Sequence, residues 1–315
     1  MIYIKYWIFL SPGAAKVIMN DSPSPPSHSR AFLGFLFLIA IVSLGHASLF
    51  ARAAQAPPEV VGFWRMSGAA LILLPFAFRY ANVNRKQILL SFVAGFFFFI
   101  HLWTFIFAAQ HTKIANCVIL FAVNPVFTSI GHWFLDGVRP RWKTLFAYAA
   151  AGAGVLIALH NKTSFAAFSL QGDLLAVVSA GFFSAFILTG NAARKNLNNL
   201  VFSPIVYFSA AVCFLVCAVL RSIPLLPWPL ESWAAILGYI LVPTLLGHTL
   251  YTYLLSHVRI HVMSFGKMIE PLVAIVSAWF LFSEKPAEEI LLSFVFTAVA
   301  TLLVLWPDQN DPRRV

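Results

Sequence analysis

Residues 124–140, NPVFTSIGHWFLDGVRP, and residues 270–286, EPLVAIVSAWFLFSEKP, carry one pattern at a constant offset of 146 positions. Asn124-Pro125 falls on Glu270-Pro271, Trp133-Phe134-Leu135 on Trp279-Phe280-Leu281, and Pro140 on Pro286. Working outward, 105–159 aligns without gaps onto 251–305. Phe105 and Phe107 then meet Tyr251 and Tyr253, and His111, Lys113 and Ile114 meet His257, Arg259 and Ile260. Each copy lies within an apolar block of about 20 residues, enough to cross a hydrocarbon core roughly 30 Å thick at about 1.5 Å per residue.

The whole chain is built of such blocks. Of its 315 residues 60% are hydrophobic and 10% charged, whereas a soluble domain averages about 25% charged. In lipid the backbone must satisfy its own hydrogen bonds, so the blocks are read as helices. The alternating ten-residue segments of a β-barrel do not occur. Helices are expected near 31–50, 59–78, 87–108, 114–135, 143–159, 171–190, 200–220, 232–255, 261–282 and 287–306. Polar or helix-breaking linkers separate them, such as Pro57-Pro58 and Pro224 to Pro229.

The offset spans five helices, an odd number, so the second copy enters the membrane inverted relative to the first. Inverted repeats recur in secondary transporters. The expected fold is therefore an all-α polytopic membrane protein of ten transmembrane helices in two inverted five-helix repeats, 31–160 and 171–306. Residues 1–30 and 307–315 read as cytoplasmic tails. The apolar run Ile2 to Leu10 is too short to span, and either Met1 or Met19 could be the start.

The net charge of +10 does not point to nucleic acid, because the basic residues sit in short loops rather than one patch. Fourteen of the 21 Lys and Arg residues fall in segments on the side of the N-terminus. Five (Arg52, Lys113, Lys162, Arg221 and Lys285) fall in the alternate segments. The positive-inside bias then places both termini in the cytoplasm, with the bacterial cytoplasmic membrane as the expected location. Cys117, Cys213 and Cys217 lie in apolar segments and read as packing thiols. His257 and His261 have helical spacing but no third ligand, so neither a metal nor a cofactor is expected. No Gly-rich nucleotide loop suggests ATP-driven pumping.

Ionisable groups within spans are costly and are candidates for function. Glu270 lies inside helix nine. Pro271 deprives the carbonyl of Lys267 of its helical partner, and Pro125 does the same to Phe121 beside Asn124. Lys267 is one turn from Glu270 and can pair with it. The pair serves either packing or coupling to substrate or protons. His101 and His248 lie deep in helices three and eight, with Phe105 and Tyr251 on their respective faces. A cavity lined by aromatic and a few polar groups suits a small solute. The candidate substrate-binding set is His101, Phe105, Asn124, His248, Tyr251, Lys267 and Glu270, with Pro125 and Pro271 as helix breaks. His46 and His132 are weaker candidates. Arg65 reads as snorkelling to the interface near the outer end of helix two.

Phe121 to Thr128, Trp133 to Leu135 and the Gly137/Pro140 turn resemble the fourth helix of the EamA-type ten-helix members of the drug/metabolite transporter superfamily. Glu270-Pro271, Trp279 to Leu281 and Ser283-Glu284 resemble the ninth helix, and Trp64-Arg65 resembles the start of the second. Where that family carries Gly-Glu after helix four, this chain has Gly137-Val138, so the acid persists only at Glu284. The resemblance covers about 31–306 and implies export or exchange of a small metabolite, amino acid or drug-like solute. Coupling to protons or a counter-solute, and a homodimer, are compatible with it. The alternatives are a non-transporting sensor or scaffold and an intramembrane enzyme. The first would carry a soluble output domain, for which no segment is long enough. The second would need clustered membrane carboxylates or a His-Glu-x-x-His motif.

Overall fold

The computed structural model describes residues 30–77, 84–137, 142–160, 167–195, 197–254 and 269–305, and every regular element among them is a helix. The first span is α1 (Arg30–Gly45) and α2 (Ala47–Ala53), interrupted at His46. It is followed by α3 (Pro58–Ala77) and α4 (Arg85–His111). The fourth span is α5 (Ile114–Phe121) and α6 (Asn124–Asp136), interrupted at Ala122 and Val123. Next come α7 (Trp142–His160), α8 (Ala167–Arg194) and α9 (Asn199–Leu220). The eighth span runs from α10 (Leu230–Tyr239) through a π-helical stretch (Ile240–Thr249) into α11 (Leu250–Leu254). The chain then forms α12 (Ile269–Phe282) and α13 (Glu288–Leu305).

Helical segments thus occur in all ten regions expected from sequence, and eight are long and apolar enough to cross a membrane. Of the other two, α12 has 14 residues and α13 has 18. The first part of the expected ninth helix lies outside the described residues, as do Lys267, His257, His261 and both tails. Local chemistry sets several ends. Asn84 and Asn198 accept hydrogen bonds from the backbone N–H of Lys86 and Leu200 and cap α4 and α9. Pro58 opens α3, where its missing N–H costs nothing. Gly137 closes α6 with φ of 69°, a left-handed conformation that suits glycine.

Large apolar side chains cover the outside of the bundle, including Leu71, Leu156, Leu220 and Leu230. Soluble monomers rarely expose so much, and the surface suits acyl chains. The repeated Trp-Phe-Leu motif belongs to it: Phe134 and Phe280, equivalent by the 146-residue offset, are 76% and 79% exposed. Small residues line the helix contacts instead, as membrane packing requires. A Cβ on Gly62 would come within 2.2 Å of the Phe214 ring, so that glycine allows α3 to lie against α9.

The packing partners are specific. α4 lies along α8 and α9, α3 along α9, and α7 along α13. α1 lies along the π-helical stretch, α11 and α12, and α2 packs on α10. α5 packs on both α8 and α12, and α6 on α8. One end of the bundle is tied by polar contacts among α2, α3, α4, α5, α8, α9 and the segment after α12. Arg52 pairs with Glu284 and donates to the carbonyls of Ala109 and Thr112. The Ile114 N–H donates to Glu284 at 2.9 Å, and Thr112 donates to Asp173 at 2.5 Å. Arg221 donates to Glu59 at 2.5 Å.

Candidate functional site

Glu270, Pro271 and Asn124 line one buried cavity, together with Phe105, Phe121, Ala122 and the residues around the α1–α2 interruption (Leu44, Gly45, Ala47 and Ser48). Three irregularities therefore converge. The first span breaks at His46, the fourth at Ala122–Val123, and the ninth carries Pro271. Non-helical backbone at membrane depth is tolerated where it is enclosed by protein or lines a cavity. The convergence needs a close approach: a Cβ on Gly45 would lie 2.7 Å from the Val273 side chain and 3.1 Å from the Glu270 carbonyl oxygen.

Pro125 cannot donate to the Phe121 carbonyl, and the Asn124 side chain does so instead, at 3.3 Å. The Asn124 carbonyl accepts from Ser184 at 2.8 Å and Thr128 at 3.1 Å, anchoring the break to α8. The Ser48 hydroxyl faces the same region and has no hydrogen-bond partner among the described residues. A carboxylate, an amide and a hydroxyl thus surround a volume of about 20 Å³, room for about one water. Such a set can hold a proton or a small cationic or hydrogen-bonding group. His46 sits at the edge, with Nδ1 2.7 Å from the Val42 carbonyl and Nε2 3.4 Å from Ser277 Oγ on α12.

His248 and Tyr251 line a second cavity of about 30 Å³, with Tyr207, Ser203, Thr252 and Arg194 as its other polar groups. A wall of rings separates the two. His101 contacts Phe105, Phe121, Phe183 and Phe98, with centroids 4.8–5.9 Å apart. Phe98 meets His248 edge-on at 5.7 Å. His101 lies inside this wall rather than lining either cavity. Its Nδ1 is 2.8 Å from Ser179 Oγ, which joins α4 to α8. Phe105 reaches the first cavity. Phe121 of the first cavity meets Phe183 of the second edge-on, with centroids 5.3 Å apart, so the two cavities adjoin. Of the sequence-derived set, the structure brings together Phe105, Asn124, Glu270 and Pro271 at the first cavity, and separately His248 and Tyr251 at the second; Pro125, next to Asn124, does not line either. Lys267 is outside the described residues.

A third, open space of about 690 Å³ lies at the tied end of the bundle, lined by Arg52, Glu59, Gln110, His111, Arg221 and Phe282 among others. Glu59 is fully buried. Its Oε1 accepts from Arg221 and, at 2.7 Å, from Trp103 Nε1. Gln110 donates to the carbonyls of Ala51 and Ala56, holding the end of α2 beside this vestibule.

Arg65 corrects the sequence reading. It does not snorkel; it is 0% exposed. Its Nε donates to Thr244 Oγ1 at 2.8 Å, and its guanidinium sits 3.8 Å over the Tyr239 ring. Both partners belong to the eighth span, where the helix widens to π geometry. Pro243, in the middle of that predicted helix, was the signal available in the sequence.

Comparison with known proteins agrees with this architecture. A model of the EamA-like transporter family matches residues 32–159 and 170–306. An uncharacterised transporter of Archaeoglobus fulgidus is 28% identical over 255 residues, covering 78% of this chain and 86% of the relative. The pseudopaline exporter CntI of Pseudomonas aeruginosa is 25% identical over 232 residues, covering 72% and 78%. A solved crystal structure superposes with a TM-score of 0.60 over 87% of this chain and 96% of its own, and at 17% identity it speaks to the fold alone.

Proposed function

The chain belongs to the EamA-like transporter family and is a multi-pass membrane transporter of a small-molecule solute, not an enzyme; from that premise we propose that it is a secondary exporter or exchanger. Its cargo is a metabolite, amino acid or drug-like solute, moved by alternating access. The observation that carries this reading is the convergence of the α1–α2 break, the α5–α6 break and Glu270-Pro271 on one cavity. Discontinuous helices meeting at a repeat interface are where transporters of this kind bind solutes and coupling ions. Export is the activity named for one relative.

Ten spans in two inverted halves fit the packing. Under the 146-residue offset, α4 maps onto α10 to α11, the first span onto α8, and α5–α6 onto α12. The contact of α4 with α8 then corresponds to that of the eighth span with the first, and α5–α6 on α8 corresponds to α12 on α1. α3 with α9, and α7 with α13, map onto themselves, as pairs on a two-fold axis would. With cavities of about 20 and 30 Å³ behind a vestibule of about 690 Å³, the molecule has the shape of an occluded state. Arg52, Glu284 and Gln110 form the barrier on the vestibule side.

The charge bias orients the vestibule outward and both termini toward the cytoplasm of a bacterial cytoplasmic membrane. Single cysteines at Lys285 and Lys195, in a background free of other cysteines, check this. An impermeant thiol reagent outside the cell should label the first and spare the second, and the reverse would overturn the orientation. The transport reading is tested by counterflow of a radiolabelled metabolite panel in proteoliposomes, with and without an imposed pH gradient. Protein-dependent exchange of at least one solute is expected; no exchange across the panel would contradict the proposal.

A further inference from the structure

Arg65 is the one charged side chain among the largest fully buried residues of the described chain. Its Nη1 and Nη2 have no hydrogen-bond partner among the described residues, and neither has the hydroxyl of Tyr239 beneath it. A guanidinium is a rigid fork of donors with no acceptor. Here its stem is fixed by Thr244, its face by Tyr239, and its two outer nitrogens are left unused. Burying such a group unpaired is costly. A structural role would be served as well by an apolar side chain of similar size.

The π-helical stretch explains how the fork is held and what it adjoins. Thr244 Oγ1 donates to the Tyr239 carbonyl at 2.9 Å and accepts from Arg65, while Thr249 Oγ1 donates to the Thr244 carbonyl at 3.1 Å. Both are five-residue steps, the spacing of π geometry. Thr249 is 3.2 Å from the hydroxyl of Tyr207, and Tyr207 lines the cavity shared by His248 and Arg194 while lying within electrostatic reach of Arg65. A polar thread thus joins Arg65 to a cavity where, among the described residues, Arg194 is the one Lys, Arg, Asp or Glu in the lining. On its other side, Arg65 is six residues along α3 from Glu59, about 9 Å of helix rise below the vestibule.

We propose that the Arg65 guanidinium, with the Tyr239 hydroxyl, is the subsite for a carboxylate group of the transported solute, closed in the occluded state and opened when the eighth span moves against α3. The inference rests on the transporter reading and narrows its cargo to carboxylate-bearing molecules. Two parallel N–H donors match two carboxylate oxygens, and a phenol adds a third donor. No acidic residue contacts this group among the described residues.

The test is binding to the purified protein in detergent micelles, read as thermal unfolding. Acetate, succinate and citrate are compared with succinamide, the neutral diamide of the same skeleton, at ionic strength matched with sodium chloride. Wild type should gain a concentration-dependent rise in Tm of a few degrees with at least one carboxylate and none with the diamide. Arg65→Met should lose that rise while its ligand-free Tm is equal to or above wild type, because an unpaired buried charge has gone. Arg65→Lys keeps the charge without the fork and should weaken apparent affinity about tenfold. Should Arg65→Met fail to fold, Tyr239→Phe, which removes one oxygen, should weaken it severalfold. No carboxylate response in wild type, or an equal response in Arg65→Lys and Tyr239→Phe, overturns the proposal. Binding is read without transport, so counterflow activity with no carboxylate response sinks this inference alone. A carboxylate response in a protein that moves no solute sinks the transporter reading instead.

Discussion

The two buried cavities are made in different ways. Around Glu270 the helices are broken: an interruption at His46, another before Asn124-Pro125, and Pro271 in α12. Around His248 the helix stays continuous and widens over Ile240–Thr249. The first device frees carbonyls and supplies an amide and an acid. The second aligns threonines five residues apart and seats a buried arginine. The helix plan thus encloses two cavities that differ in polar chemistry, and the ionisable residue that sets each apart comes from the second repeat. One cavity is charged by Glu270, the other by Arg194.

Substitutions at the close contacts break this comparison most severely. Gly45→Ala places a Cβ 2.7 Å from Val273 and is expected to cost about 1–3 kcal/mol of stability by overpacking, with loss of transport as α1 is pushed off Glu270. Gly152→Ala, where nothing lies within 4 Å of the new Cβ, should raise stability by up to about 1 kcal/mol, because alanine loses less backbone entropy than glycine inside a helix. Thermal unfolding of the two variants checks the contrast. Equal melting temperatures would mean that the α1–α12 approach is not tight.

Removing the polar devices one at a time sharpens it. Thr244→Val takes the acceptor from a buried charged donor and should cost about 2 kcal/mol. Asn124→Ala leaves the Phe121 carbonyl without its side-chain donor and should cost about 1 kcal/mol, since one carbonyl can relax more readily than a guanidinium. A thermal-shift series in one detergent orders them. If Asn124→Ala proves costlier than Thr244→Val, the π-helical seat of Arg65 matters less than the break in the fourth span.

The helix pattern was legible in the sequence because lipid forces long apolar blocks. The Glu270 cavity was legible because proline beside a polar residue repeats at a fixed offset. The seat of Arg65 was not. Pro243 and Gly247 mark the irregular stretch, but they have no counterpart at that offset, where the fourth-helix signal had drawn attention. An arginine early in a span also reads by default as snorkelling. Only the placement of α3 against the eighth span shows that it has no route to the interface. His101 was legible as buried, but its use as a wall depends on four rings from three helices, which no single-segment pattern reveals.

The proposed transport cycle places its coupling at the cavity of Glu270. The most direct test is counterflow in proteoliposomes by Glu270→Gln, across pH, beside its thermal unfolding. The side chain keeps its size and loses its charge. At least a tenfold fall in exchange rate is expected, with the pH dependence flattened, while the melting temperature stays within a few degrees of wild type. Wild-type exchange with wild-type pH dependence would contradict it.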